Sequence, residues 1–320
     1  MIQYNFNIQR EIAANTVLTV GYVGSHGVHL LTQIEQNPPI PVIDSSGLYH
    51  FTNAAGATNQ RVNPKLAYFP VLRPITTSHY NSLQTVLNRR FSRNVQAQVS
   101  YTWSRCIDDG AFGVGSFNGL STTPSSVMNP FNQATDRASC SYDLTQVLRV
   151  NGLAALPFHG NRIVEGWQIS GILSTYNGIP LNVYTGFDRA GFTSGNNPRP
   201  NYIAGCDPYA GARTITEWFN PKCYSLEPVG TFGNTGRNSL RGPNFFNTDV
   251  ALLKDTKLTE QFRLQFRAEF FNIFNHENFG PPNVNVFSAS GAINGSAGHI
   301  TGSNQGATPR QIQFGLKLNF

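Results

Sequence analysis

Residues 95–104 read VQAQVSYTWS. Apolar side chains occupy every odd position from Val95 to Trp103, and Gln, Ser or Thr occupies every even position. Because successive side chains of a β-strand point to opposite faces of a sheet, this alternation predicts a strand with one apolar and one polar face.

The same alternation recurs along the chain. It is strongest at 261–270 (QFRLQFRAEF) and 311–320 (QIQFGLKLNF). Together these patterns predict about nine strands, longer than the roughly 5–6 residues usual in soluble sheets and suited to a tilted membrane strand of about 9–11. All 19 prolines lie outside the predicted strands, as expected because proline removes a ladder hydrogen bond. The six weaker strands are expected at 2–12, 16–24, 80–91, 144–156, 166–177 and 245–254.

The connections between these strands alternate in length. Short turns near 13–15, 92–94, 157–165 and 255–260 alternate with long loops rich in Gly, Pro, Asn and Ser. Short periplasmic turns and long extracellular loops are typical of an outer-membrane barrel. The sequence therefore predicts an all-β, transmembrane, antiparallel β-barrel in lipid of the bacterial cell outer membrane. The long extracellular loops are expected at about 26–78, 106–142, 178–244 and 274–309.

An odd number of strands has a consequence for the barrel. Single-chain bacterial barrels have even counts, and nine strands alone leave one edge unpaired in lipid, at several kcal/mol per unsatisfied group. The segment MIQYNFNIQREI also lacks the pattern of a secretion signal. We therefore expect the C-terminal portion of a longer barrel, or a gene model with a late start.

Seven stretches, in order and across nearly the whole chain, carry a resemblance to a known family. The stretches are 16–30, 80–109, 166–183, 218–224 (WFNPKCY), 232–255, 263–280 (RLQFRAEFFNIFNHENFG) and 309–320. They resemble the C-terminal barrel of the Oar-like TonB-dependent receptors of the acidobacterial type. In that family a signal peptide, a β-domain and a plug precede a barrel of about 22 strands. No plug, TonB box or signal peptide is recognisable, so residues 1–320 are interpreted as a partial barrel.

The resemblance implies TonB-dependent uptake of a large, unknown extracellular ligand, with the TonB complex as partner if a plug lies upstream. It also implies a terminal strand that the barrel-assembly machinery reads. The alternatives are a non-transporting surface or adhesion scaffold that displays long loops, and a soluble all-β binding module. The apolar positions of the terminal strand are Ile312, Phe314, Leu316, Leu318 and Phe320.

Catalytic and metal motifs are incomplete. His276-Glu277 is followed by Gly280 where a zinc protease needs its second His. His26 and His29 have ligand spacing, but a solvated loop is the simpler interpretation. Asp108-Asp109 opens a loop, where turn chemistry is favoured over a cation site. We expect no enzyme, no cofactor and no metal, and no nucleic-acid partner, because the net charge of +6 forms no basic face.

Three sets of loop and strand residues remain as candidate sites. All four cysteines lie in long loops, and loop membership in an oxidising compartment favours the disulfides Cys106 to Cys140 and Cys206 to Cys223 over metal binding. Polar residues expected to line the lumen or contact a plug are Arg149, Arg263, Arg267, Glu269 and Lys317. Aromatic residues of the third long loop fit either ligand stacking or packing of the loop on itself; they include Phe187, Tyr209, Trp218 and Phe219.

Overall fold

The fold is one antiparallel sheet of nine long strands, which follow each other in chain order across the sheet. A computed structural model describes residues 1–51, 61–66, 68–92, 94–110, 127–191, 198–211, 213–304 and 306–320. The predicted all-β, antiparallel architecture is confirmed. The strands are β1 (Ile2–Ala13), β2 (Thr16–Glu35), β3 (Pro70–Ser92), β4 (Val95–Asp108), β5 (Gln146–Ala155), β6 (Trp167–Tyr176), β7 (Phe245–Lys257), β8 (Arg263–Phe271) and β9 (Gln311–Asn319).

The long loops contain only short elements. Two of these are 3-10 helices, Gln133–Asp136 and Pro221–Cys223. No helix in the described part of the chain is long and apolar enough to cross a membrane. The two-residue strands are Val42–Ile43, Tyr49–His50, Ala138–Ser139, Pro180–Leu181, Asn201–Tyr202, Tyr224–Ser225 and Leu240–Arg241.

The register aligns the apolar side chains of all nine strands on one side of the sheet. Val150 of β5 lies opposite Val99 of β4 and Leu173 of β6, for example. Directly paired residues project from the same face, so each strand extends the apolar face of its neighbour. This face is uncovered: Trp103 is 59% exposed and Leu316 is 70% exposed. We call it the apolar face and its opposite the polar face.

Four strands extend by three or more residues beyond the sequence pattern: β2 and β3, β4, which continues to Asp108, and β7, which continues to Lys257. β2 continues to Glu35 and β3 begins at Pro70, so both enter the expected loop 26–78. The expectation that the nine long strands contain no proline is wrong for Pro70 and Pro74, which lie in β3. Pro74 pairs with Leu31 where the register shifts, and such an irregularity tolerates a residue without an N–H donor. Parts of the predicted loops (52–60, 111–126 and 192–197) and residue 93 of one predicted turn lie outside the described residues.

The short turns use residues that accept a left-handed backbone. Asn15 has φ 61° between β1 and β2, and Asn94 has φ 66° between β3 and β4. Asparagine is one of the few residues with a side chain that takes up this conformation readily. Gly166 has φ 79°, and a Cβ there would lie 2.3 Å from the carbonyl oxygen of Asp255. Side-chain size as well as backbone conformation therefore restricts that position to glycine.

The sheet has two open edges. β1 forms one edge and β9 the other, and no hydrogen-bonded pair joins them in the described residues. Every residue of β1 is exposed. Both edges therefore present backbone N–H and C=O groups that another strand could pair with.

The two faces of the sheet are tested by adjacent substitutions in the middle of β5. Val150 projects from the apolar face, expected to meet lipid, and Asn151 from the polar face. Val150→Arg should reduce the stability of the protein in a bilayer by about 2–4 kcal/mol, because a charge then lies in hydrocarbon. Asn151→Arg should cost about 0.5 kcal/mol or less. Urea titrations in phospholipid vesicles, read by gel mobility with and without boiling, measure both; equal losses would contradict the face assignment.

Candidate functional site

The long loops fold into a compact layer at one end of the sheet. We call this layer the cap, defined as the described residues within 36–69, 109–145, 177–244 and 272–310. It covers the polar face: Ser104, Cys106 and Asp108 on that face of β4 are at most 7% exposed. Trp103, on the apolar face of the same strand, remains exposed. The cap therefore lies over one end of the polar face and leaves the apolar face free.

The cap has a hydrophobic core of its own. Phe219 is fully buried, and Phe187, Tyr209 and Trp218 pack against that core. The indole Nε1 of Trp218 donates to the carbonyl oxygen of Arg241 at 2.8 Å. These aromatic rings therefore pack within the loop, as one of the two sequence interpretations predicted. The core is formed by Ile179, Leu181, Val183, Phe219, Cys223, Tyr224, Leu240, Val286 and Phe287.

Three arginine–aspartate pairs join the loop between β6 and β7 to residues of β4 and the loop after it. In each pair the aspartate side chain is at most 3% exposed. Two of the three arginines are equally buried, and Arg241 is 33% exposed. A buried ion pair is destabilised strongly when one partner is lost, because the other charge is left without compensation. The pairs are Arg199 with Asp136, Arg237 with Asp108, and Arg241 with Asp143.

Each of these guanidinium groups also binds backbone carbonyl groups. Arg199 donates to Asp136 Oδ1 at 2.6 Å and to the carbonyl oxygens of Thr135 and Thr235 at 3.0 and 2.8 Å. Arg237 donates to the carboxylate of Asp108 and, at 2.7 Å, to the carbonyl oxygen of Asp136. Multiple charge-assisted hydrogen bonds fix the orientation as well as the distance of the partners. The two arginines therefore hold 135–136 and the end of β4 in one arrangement.

No motif in the sequence marks these arginines, and for Asp108-Asp109 the sequence predicts only turn chemistry. Asp108 does accept the amide of Gly110 at 2.9 Å, which is turn chemistry, but it also pairs with Arg237. Asp109 accepts from the half-exposed Arg137 at 2.8 Å. The only signal in the sequence is the scarcity of charge, since just 12% of residues are charged. That scarcity does not show which arginine binds which aspartate.

Two disulfides cross-link the cap. Cys106 of β4 is bonded to Cys140, 34 residues away, and Cys206 is bonded to Cys223, 17 residues away. These are the two predicted pairs, but the expectation that all four cysteines lie in long loops is wrong for Cys106, because β4 continues to Asp108. Closing loops of these lengths stabilises a fold by about 3–4 kcal/mol each when chain entropy dominates. The first bond joins the sheet to the cap, and the second lies within the loop between β6 and β7.

The candidate lumen residues share the polar face. Arg267 and Glu269 form an ion pair on β8 at 2.6 Å. Lys317 lies opposite Gln265, and Arg263 lies opposite Asn319. Arg149, three strands away, lies opposite the polar residues Ser100 and Ser174. The pairing register therefore puts Arg149, Arg263, Arg267, Glu269 and Lys317 on the side that the cap covers at one end.

The side chains that the terminal strand β9 contributes to the apolar face are hydrophobic and exposed. Its apolar side chains stand opposite those of β8, and the rings of Phe314 and Phe266 stack at 6.2 Å. These side chains are at least half exposed, which suits contact with lipid. The residues of β9 are Ile312, Phe314, Leu316 and Leu318, exposed by 53%, 68%, 70% and 50%. Phe320, predicted as the last residue of this strand, follows its end at Asn319 and is 96% exposed.

One carboxyl group is buried in the cap without an ion-pair partner in the described residues. Glu227 is fully buried, and its carboxyl group accepts from the Thr185 hydroxyl at 3.2 and 3.3 Å. Desolvation raises the pKa of Glu227, and hydrogen bonds from its own amide and from Thr185 and the charge of Arg189 oppose the rise. Burial therefore shifts the protonation equilibrium of this carboxyl toward its neutral form relative to the unfolded chain.

The arrangement offers no metal centre of three or more protein ligands among the described residues. The cap instead presents a rigid surface of loops above a polar face. Such a surface can bind a molecule or close off the space beneath it.

The comparison with known protein families agrees with this architecture. Residues 1–313 match the family model described as an outer membrane beta barrel domain. The chain is also similar in structure to the outer membrane transporter YddB from Escherichia coli, with 9% identity and a TM-score of 0.49. That match covers 99% of this chain and 32% of YddB, so the chain spans about a third of the length of that protein. No curated protein matches the chain.

The buried ion pairs predict a difference between two arginines of the cap. Arg199→Gln leaves Asp136 buried without its cation and should reduce the stability of the cap by about 3–5 kcal/mol. Arg137→Gln breaks a pair of similar length in which Arg137 is 51% exposed, and should cost about 1 kcal/mol or less. Hydrogen exchange of cap amides measures both, with the amides of β5 and β6 as an internal reference. Equal effects of the two substitutions would show that burial does not decide the strength of these pairs.

The buried carboxyl predicts a pH dependence. Because the pKa of Glu227 is raised in the folded cap, the stability linked to its protonation is present at low pH. It is lost as pH rises through that folded pKa. Glu227→Gln should therefore make the cap more stable at neutral pH and flatten its pH dependence. The urea midpoint of cap proteolysis, measured at several pH values, tests this. Glu217→Gln, at an exposed position of the same loop, is the matched control and should leave the profile unchanged.

Proposed function

The chain belongs to the outer membrane beta barrel domain family, and on that basis we propose that it forms part of a TonB-dependent receptor that takes up a large substrate. Its location is the bacterial outer membrane. The apolar face then meets lipid and the polar face lines the lumen. The cap is extracellular, and the short turns lie in the periplasm.

One observation carries this proposal: the cap covers the polar face and leaves the apolar face open. A substrate that arrives from outside then meets the cap before it reaches the lumen. The side chains below are water-compatible, as in the ion pair between Arg267 and Glu269. The resemblance of the chain to Oar-like receptors supports the finer assignment, in which energy for uptake comes from the TonB complex through a plug.

The remaining partners follow from the two open edges and the terminal strand. In hydrocarbon each unpaired backbone group costs several kcal/mol, so β1 and β9 require further strands. We propose that the barrel-assembly machinery recognises β9 and that the edges pair with other strands of the same barrel. We propose that this chain is not an enzyme and that it binds neither a cofactor nor nucleic acid.

A second function is supported by the rigidity of the cap. Its core, two disulfides and buried ion pairs hold the loops in one arrangement. A surface or adhesion scaffold needs such fixed loops and does not need a path through the barrel. The two functions therefore differ in whether the protein contacts TonB.

The experiment uses membranes of the native organism and an antibody against residues 230–320. Outer-membrane proteins are cross-linked with formaldehyde and blotted with and without boiling. A band much larger than the 35.2 kDa of these residues, which shifts on boiling and cross-links to TonB, is the expected result. A boiling-sensitive band that never cross-links to TonB, in membranes where a known receptor does, would favour the scaffold. A band in the soluble fraction alone would contradict both functions.

A further inference from the structure

Two histidines from different strands face each other near the cap. His26 of β2 lies directly opposite His79 of β3. Their Nδ1 atoms are 3.0 Å apart, and their ring centroids are 4.2 Å apart. Both residues are half-buried. They are 53 residues apart in the chain, so only the pairing of the strands brings them together.

The strand pattern puts this pair on the apolar face. Tyr22 precedes His26 by four positions, and Asn81 follows His79 by two. Because side chains alternate between the two faces, each of these pairs projects from one face of its strand. The hydroxyl group of Tyr22 donates to Asn81 Oδ1 at 2.6 Å. The face is therefore the one that carries Tyr22 and, in the same row, Trp103. The histidines lie beyond this row of aromatic residues, on the side of the cap.

The height of the pair places it at the membrane surface. His26 is ten residues from Thr16, where β2 begins at the short-turn end. A strand that rises about 3.3 Å per residue and tilts by about 40° climbs roughly 25 Å over that length, which matches the height of the apolar band of a barrel. The rings therefore lie at the outer boundary of the hydrocarbon, where ions from the water can reach them.

The distance between the two nitrogen atoms fits a metal chelate. Imidazole nitrogens bind a divalent transition metal at about 2.0–2.1 Å, so two of them at a right angle are roughly 2.9 Å apart. The observed 3.0 Å is close to this spacing. Without a metal the same spacing requires one ring to donate its Nδ1 proton to the other. A metal ion replaces that single proton and uses both lone pairs.

We propose that His26 and His79 form a two-histidine chelate for Cu²⁺ on the outer surface of the barrel. Cupric ion binds nitrogen ligands more tightly than the other divalent first-row metals and accepts a tetragonal set of nitrogen and oxygen donors. No third His, Cys, Asp or Glu in the described residues completes the site. Water therefore fills the remaining positions, which leaves them open to exchange.

The sequence motif and the structure disagree about the partner of His26. Spacing along the chain pairs it with His29, whereas the sheet pairs it with His79. His29 has φ 55° at the irregularity where the register of β2 shifts, so it does not continue the alternation of the strand. His29→Gln is therefore a matched control for His26→Gln and His79→Gln.

The test titrates Cu²⁺ into the protein as it is purified from the outer membrane of the native organism in detergent micelles. Calorimetry measures affinity, and electron paramagnetic resonance counts the coordinating nitrogens. Each protein is first checked for folding by its gel mobility with and without boiling. The expected result is one Cu²⁺ site with two coordinating imidazole nitrogens. Its affinity for Cu²⁺ should fall at least about tenfold in His26→Gln or in His79→Gln and stay unchanged in His29→Gln. Zn²⁺ should bind more weakly at the same residues.

Three results would overturn the proposal. The double variant His26→Gln/His79→Gln measures the Cu²⁺ that binds to the other histidines and to the N-terminal amine. The first contradicting result is that the unsubstituted protein binds no more Cu²⁺ than this double variant. Another is an unchanged affinity in folded His79→Gln. The third is a loss of affinity in His29→Gln that equals the loss in His26→Gln, since the ligands would then be neighbours in sequence.

Discussion

The register of the strand pairs is the constraint on which the rest of this structure depends. Side chains alternate with a period of two, so a slip of one residue in any pair would turn an apolar row toward the polar face. Val99, Val150 and Leu173 stand in one row because two successive pairings are in register. Only this alignment yields one continuous face for lipid and one for water. The positions of the lumen residues and of the cap follow from it.

The cap depends on a different interaction, the buried pairing of opposite charges. Few residues of the chain are charged, yet three aspartates at one end of the polar face are almost fully buried. A carboxylate in such a place is tolerated only when a cation and further hydrogen bonds compensate it. Arg199 and Arg237 supply both, because each binds an aspartate and backbone carbonyl groups at once. The loops are therefore held by specific partners as well as by apolar packing.

The sequence predicted what is local and missed what is not. Alternation from Val95 to Trp103 can be recognised without knowing the neighbouring strands, and all nine strands were predicted for that reason. Pro74 lies inside a strand, contrary to the prediction, because the sheet tolerates a proline where the pairing with Leu31 shifts in register. The sequence of a single strand does not reveal such a shift. Arg199 and Asp136 are 63 residues apart, and neither has a local pattern that marks it for burial. Composition limits such pairs to a small number but does not identify them.

Rigidity of the cap bears directly on how a substrate could pass. Separating these loops would break the pairs of Arg199 with Asp136 and of Arg237 with Asp108 and would expose the apolar core of the cap to water. The disulfide from Cys106 to Cys140 would still hold part of the cap to β4. If this chain transports, a path beside an intact cap, along the part of the polar face that the cap leaves uncovered, requires none of these contacts to break.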